Sequence, residues 1–224
     1  YDNAKLKKFQ KLIKNEFPIL EENKGVVFEH KLKKGKGIES KSNESIYWRY
    51  TNKTRMRIVG FELDNIYIEF KKYNHSDDFF KITKLVMDSL FDIFPSIIST
   101  RLGLRYINQI KLDGKNPYDW NNLINKKLLD SMDFISNKKN MSRYITLIEL
   151  NEEDYNLKFQ YGIANSLYPS SIIKKEFILD YDCSTYESLE KTSEVLDKAK
   201  EFNEVITDMF EKSIGAGLRK KMYE

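Results

Sequence analysis

One order of elements occurs twice along these 224 residues, and nothing else in the sequence limits the fold as much. The run Arg101-Leu-Gly-Leu-Arg-Tyr-Ile-Asn-Gln-Ile-Lys-Leu112 alternates apolar and polar residues, the period of a strand with one buried face. A helix, three strands and a long helix follow it. The residues before it read as helix, strands and helix, with one extra strand near Val26 and no opening strand. The expected organisation is a single domain of two pseudo-repeated β-α-β-β-β-α halves, about 1–98 and 99–224. The halves share pattern rather than residues, and the absent first strand is expected ahead of Tyr1.

Local signals give the expected elements. Leu6, Phe9, Ile13 and Phe17 recur at helical spacing over Asn3–Glu16, with Asp2 or Asn3 as cap and Pro18 as stop. Strands are expected over Val26–Lys33, Ser45–Thr51, Arg55–Leu63 and Ile66–Tyr73. A turn is expected over Lys33–Asn43, which holds Gly35 and Gly37, and a tight hairpin at Asp64-Asn65. Ser76 should cap a helix to Phe94, with Asp77 and Asp78 at its positive end and Pro95 as stop. Asn116-Pro117 reads as a cap and first-turn proline for a helix bearing Trp120, Leu123, Ile124, Leu128 and Met132. Strands over Arg143–Leu150, Tyr155–Ala164 and Lys174–Cys183 precede a helix from about Ser193. Val195, Ala199, Phe202, Ile206, Met209 and Ile214 should face inward on it.

Alternation along the strands separates two faces. Ile66, Ile68 and Phe70 oppose Tyr67, Glu69 and Lys71; Leu102, Leu104 and Tyr106 oppose Arg101, Arg105 and Gln109; Leu157, Phe159 and Tyr161 oppose Asn156, Lys158 and Gln160. An α+β fold is expected, an antiparallel sheet with helices packed on its apolar face.

Composition excludes several classes. Hydrophobic residues make up 41% and charged residues 32%, with 9 Gly and 4 Pro, which is neither disordered nor fibrous. No apolar run approaches the ~20 residues that cross a bilayer, so no membrane partner is expected. The single Cys183 forms no intrachain disulfide and points to the cytoplasm. A charge of +4, from 38 Lys and Arg against 34 Asp and Glu, is too balanced to demand nucleic acid. Abundant Lys, Asn and Ile suggest an AT-rich, bacterial genome.

Three runs carry a family resemblance: Arg101–Asn108, Phe177–Asp182 and Phe202–Ile214. With them the chain resembles, over nearly its whole length, an uncharacterised prokaryotic family known only by a catalogue number. Members of that family begin with an apolar strand ahead of the first helix. The resemblance brings no activity and no catalytic residues. The family's sporadic distribution implies a place in antiviral defence or a mobile-element operon.

Candidate chemistry is sparse. His30 and His75 lie far apart and Cys183 stands alone, so no zinc spacing exists. Glu176, Asp180 and Asp182 share one strand face and are the candidate Mg²⁺ or Ca²⁺ ligands; a solvated row paired with lysines is the preferred reading. Cys183 lacks an adjacent base, and Ser170-Ser171 lacks an elbow motif. Gly35-Lys36-Gly37 is a fragment of a phosphate loop, and Gly215-Ala216-Gly217 follows a helix, as a cap or bend does.

The sharper candidate is a binding face. Arg101, Arg105 and Lys111 share the polar side of one strand, and Arg49, Arg55 and Arg57 lie beside Tyr47, Trp48 and Tyr50. Aromatics interleaved with cations on a sheet hold single-stranded nucleic acid. Glu69, Glu176, Asp180 and Asp182, expected on the same face, argue instead for cross-strand pairs or a protein partner. Arg101 and Arg105 flank Gly103; they read as an anion clamp or, preferred, as bridges to Asp180, Asp182 or Glu69. The sequence points to a non-catalytic binding or adaptor subunit with no cofactor, whose partner is another protein or a second copy. A nucleic-acid-binding module and a divalent-metal enzyme are the alternatives.

Overall fold

A computed structural model describes residues 3–33, 37–62, 64–72 and 75–222. The chain divides into two compact units, Tyr1–Ile97 with Glu190–Leu196, and Ile98–Leu189 with Asp197–Glu224. Each holds one four-stranded antiparallel sheet, so the fold is α+β with the strands shared between two sheets. No helix among the described residues is long and apolar enough to cross a membrane.

The first unit contains α1 (Asn3–Ile13), β1 (Ile19–Lys33), β2 (Gly37–Thr51), β3 (Arg57–Phe61), β4 (Ile66–Phe70) and α2 (Ser76–Ile93), with sheet order β1-β2-β3-β4. Directly opposed residues of antiparallel strands share a face, which places Trp48, Tyr50, Val59, Phe61, Ile66 and Ile68 in one set. Phe9 of α1 meets Tyr50 at 5.6 Å and Phe61 at 4.8 Å, and Phe79 of α2 meets Phe70 at 5.3 Å. Both helices therefore cover the same face. Phe9, Tyr50, Val59 and Phe61 are fully buried, each contributing roughly 1.5–3 kcal/mol by area.

Two expectations in this unit change. Most of the expected Lys33–Asn43 turn is strand, because β2 starts at Gly37 and pairs with β1 along its length. Hairpin pairing overrides the glycine-bearing local composition, while residues 34–36, including Gly35 and Lys36, lie outside the described residues. The α2 N-cap is His75, in extended conformation and without a side-chain cap bond; Ser76 is already helical. Asp77 and Asp78 do supply negative charge to the first turn. Glu62 N donating to Asn65 O at 2.9 Å closes the hairpin expected at Asp64-Asn65. Asp2, Leu63 and Tyr73 lie outside the described residues.

The second unit contains β5 (Leu102–Leu112), α3 (Lys126–Asp133), β6 (Tyr144–Asn151), β7 (Asn156–Ile163), β8 (Lys175–Thr185), most of α4 (Thr192–Ser213) and α5 (Ala216–Met222). The sheet order is β5-β8-β7-β6, so the opening strand returns beside the last. Phe159 stacks on Tyr181 at 4.6 Å, and Trp120 packs on Phe177 at 5.0 Å. Tyr106 donates its hydroxyl to Asn203 of α4 at 2.9 Å, and Ser131 of α3 bonds Tyr144 at 2.7 Å. These five sheet residues, Phe159, Tyr181, Phe177, Tyr106 and Tyr144, occupy one face, the helix-covered one.

Asn116-Pro117 does not open a helix. The Asn116 side chain accepts from Tyr118 N at 3.0 Å, and Asn122 at φ 60° breaks any helical run. The helix starts only at Lys126, capped by Asn125, which accepts from Lys127 N at 3.1 Å. Gly215 and Gly217 bend the chain after α4 and donate to Leu123 O and Asn122 O at 2.9 and 2.8 Å. A Cβ at Gly215 would run into the Asn122 carbonyl, which is why glycine stands there.

Both units thus hold a three-stranded meander followed by a helix, β2-β3-β4-α2 and β6-β7-β8-α4. They differ in where the fourth strand joins. β1 lies outside β2, whereas β5 lies outside β8.

Candidate functional site

On the helix-free face of the second sheet, strand alternation brings five polar side chains together. Arg105 of β5 stands opposite Asp182 of β8, Lys158 of β7 stands opposite Asp182, and Gln160 stands opposite Asp180. They line a shallow depression of ≈ 140 Å³. Arg105 reaches diagonally to Asp180, donating from Nε at 2.8 Å and from Nη2 at 2.6 Å. This fork leaves the Asp180 side chain 7% exposed and that of Arg105 54% exposed. The hydrogen bond to Asp180 raises the Arg105 guanidinium above its ordinary value.

The rest of the row is engaged differently. Glu176 stands opposite Lys111 and accepts from the Ser166 N–H and hydroxyl, both at 3.0 Å. Burial pushes its carboxyl up, but the two Ser166 bonds with Lys174 and Lys111 outweigh that and hold it below the usual range. Glu176, Asp180 and Asp182 therefore do not converge. Among the described residues no group of three His, Cys, Asp or Glu side chains could hold a metal ion. Arg101 lies along its own strand, its guanidinium over Gly103, so a side chain and not a foreign backbone fills the space that glycine leaves. No acidic side chain among the described residues pairs with it.

Tyr47, Trp48, Arg49 and Arg57 belong to the first unit and do not form one platform. Tyr47 and Arg49 point to the helix-free face, while Trp48, Tyr50 and Arg57 lie on the helix side. The period of two splits neighbours in sequence, which a list of adjacent aromatics and cations conceals. Arg57 lies over the Phe70 ring at 4.7 Å and pairs with Asp78 at 3.6 Å. Tyr50 is core, Arg55 bridges Glu21 from a turn, and Arg49 stands beside Tyr67. Burial raises the Tyr67 phenol above its ordinary value, and Arg49 offsets only part of that rise. Glu69 also belongs to this first sheet, not beside Asp180 and Asp182 as expected.

Cys183 sits on the helix side, buried between Leu104 and Leu157 on the flanking strands. Burial pushes its thiol up to about 12, far from the thiolate that nucleophilic or metal chemistry needs.

Comparison with known proteins gives no match: no family model, no curated protein and no solved structure is significantly similar to the chain.

One feature escaped the sequence reading. β6 is an edge strand, and Leu147, Ile148 and Leu150 are 48%, 38% and 38% exposed, on both of its faces. Alternation makes Ile148 and Leu150 look like core positions, since they oppose Phe159 and Leu157. Only the strand's place at the sheet edge leaves them wet. The phase of the ladder follows from Glu152 N donating to Tyr155 O at 2.9 Å. Counting back in twos, Ile148 and Thr146 bond to β7, while Ile145, Leu147 and Glu149 turn their N–H and C=O groups outward.

Proposed function

We propose that the chain is a non-catalytic binding subunit of a larger assembly, engaging a protein partner by strand addition at β6. One observation carries this reading. An eight-residue edge strand exposes apolar side chains on both faces, with unpaired backbone groups between them. Isolated soluble proteins blunt such edges with several charges, proline or bulges, and β6 holds a single charge, Glu149, and neither of the others. Main-chain bonds from a partner strand supply affinity, and the exposed side chains supply specificity. The lone buried thiol suits a reducing cytoplasm. The setting in bacterial defence or a mobile-element operon rests on the family resemblance.

The test is the native mass of the protein purified from its own cells, with and without Leu147→Lys. An assembly heavier than one 26.6 kDa chain, lost in the variant, supports the reading. A single chain with nothing retained refutes it.

A second reading, nucleic-acid binding on the helix-free face of the second sheet, is favoured by the exposed Arg101, which no acidic side chain among the described residues pairs. It calls for affinity that falls steeply with salt and drops again in Arg101→Ala. The carboxylates of Glu176, Asp180 and Asp182 on that face oppose it.

A further inference from the structure

We infer that the strand added at β6 is β6 of a second copy, paired antiparallel about a two-fold axis at Thr146. The inference rests on the reading of β6 as a docking edge and names its occupant. A two-fold perpendicular to the sheet keeps each residue on its own face, so opposed positions must sum to an even number. The sum 292, centred on Thr146, makes each cross-strand pair between positions 143 and 149 favourable. Arg143 faces Glu149 of the other copy and the reverse, an opposite-charge pair on both sides of the axis. Ile145 faces Leu147 twice, Tyr144 faces Ile148 twice, and Thr146 faces itself. Opposite charges, aromatic with β-branched residues and Thr with Thr are the cross-strand pairs that stabilise sheets.

The backbone agrees with this register. Ile145, Leu147 and Glu149 point their N–H and C=O groups away from β7, so 145 with 147 and 143 with 149 become hydrogen-bonded pairs. Thr146 then forms a non-hydrogen-bonded pair with its mate. Shifting the centre to Glu149 would oppose two carboxylates, and centring on Leu147 would set Ile145 against Glu149. The first unit shows that the meander accepts a strand at this edge. β2 occupies the position of β6 there, and β1 pairs antiparallel along it. The result is two four-stranded sheets joined into one, with Leu147 and Ile148 covered.

Charge reversal tests both occupant and register. Sedimentation of the full chain should show a dimer, weakened at least about tenfold by Glu149→Arg or Arg143→Glu and restored in the double swap. Arg143 also lies over Tyr168, so Glu149→Arg, which gives up only an exposed ion pair to Lys158 among the described residues, guards against misfolding. Thr146→Cys adds a second readout: Cα atoms about 4.5 Å apart across the axis permit a disulfide, so mild oxidation should give a covalent dimer. A chain that stays monomeric at about 1 mM overturns the inference, since even about 4 kcal/mol of association would show there. A dimer indifferent to both charge reversals and to Thr146→Cys overturns it equally. A monomer that still retains a different protein through Leu147 would overturn self-pairing and leave the assembly reading standing.

Discussion

Removing Arg105 should destabilise the second unit more than removing the charge of its partner Asp180. The asymmetry follows from exposure. Asp180 is 7% exposed and receives both forks of the guanidinium, while Arg105 keeps 54% of its side chain in contact with water. Arg105→Ala strands a carboxylate beneath the surface; Asp180→Asn leaves an arginine that water already solvates. Breaking a pair buried on both sides costs about 3–5 kcal/mol, and a charged hydrogen bond contributes about 1.5–3. Solvent screening on the arginine side moves the expectation to about 2 kcal/mol for Arg105→Ala, and below about 1 for Asp180→Asn.

Urea unfolding in a Trp48→Phe background, followed by the fluorescence of Trp120, which is buried in the second unit, reads this directly. With a slope of ~2 kcal/mol/M, Arg105→Ala should lower the midpoint by about 1 M. The double variant should cost at least about 1 kcal/mol less than the sum of the two singles, because no charge is then left uncompensated. Additivity within about 0.5 kcal/mol, or a larger loss for Asp180→Asn, would refute the reasoning. Either result would mean that Asp180 is solvated without Arg105.

Gly215→Ala should cost about 1–3 kcal/mol in thermal unfolding, because its Cβ meets the Asn122 carbonyl; an unchanged midpoint would show that the 122–125 segment yields freely. Native Cys183 should resist a thiol reagent at pH 8 and react fully in urea; stoichiometric labelling of the folded protein would contradict its burial. Stability should fall at alkaline pH, since a thiol titrates near ~8.5 unfolded and about 12 in the folded chain. Between those values the unfolded state binds fewer protons. The contribution is therefore full below about pH 8.5 and lost toward about 12, at up to ~1.4 kcal/mol per unit. Cys183→Ala should flatten the start of that decline, and an identical profile would sink the assignment. Trp120→Ala should cost about 3–5 kcal/mol by opening a cavity against Phe177, read by the same urea titration through tyrosine fluorescence.

Period-two alternation made β4, β5 and β7 legible, since on each the apolar side is the better covered. It also separated Arg105 from the core before any pairing was known. The same rule gave no help with what lies beside a strand. Asp180 is among the three acidic partners expected for Arg105, but singling it out, and placing Glu69 in another sheet, depends on strand order, which short sequence windows do not contain. The Asn116-Pro117 signal was sound as a turn signal, yet Asn122 at positive φ delayed the helix to Lys126. The long β1–β2 pairing was hidden because a hairpin arm draws its order from its partner rather than from its own residues.

The repeated order that dominates the sequence has its meaning in the edges. A meander of three strands has two, and the two units fill different ones, β1 beside β2 and β5 beside β8. Each unit therefore demonstrates a pairing that the other leaves open. At β4 the open edge is five residues long, carries Glu69 and runs into Lys71 and Lys72, the short and charged form that discourages pairing. At β6 it is eight residues long and its side chains are apolar on both faces. Of the two meander edges left open, one is thus guarded and one receptive. If pairing at β6 is what the chain is for, converting it to the guarded form with Leu147→Lys and Ile148→Lys should yield a stable monomer. Both side chains are already more than a third exposed, so the expected loss of folding stability is under about 1 kcal/mol. Unfolding of that variant, rather than dissociation, would show that β6 belongs to the core and not to an interface.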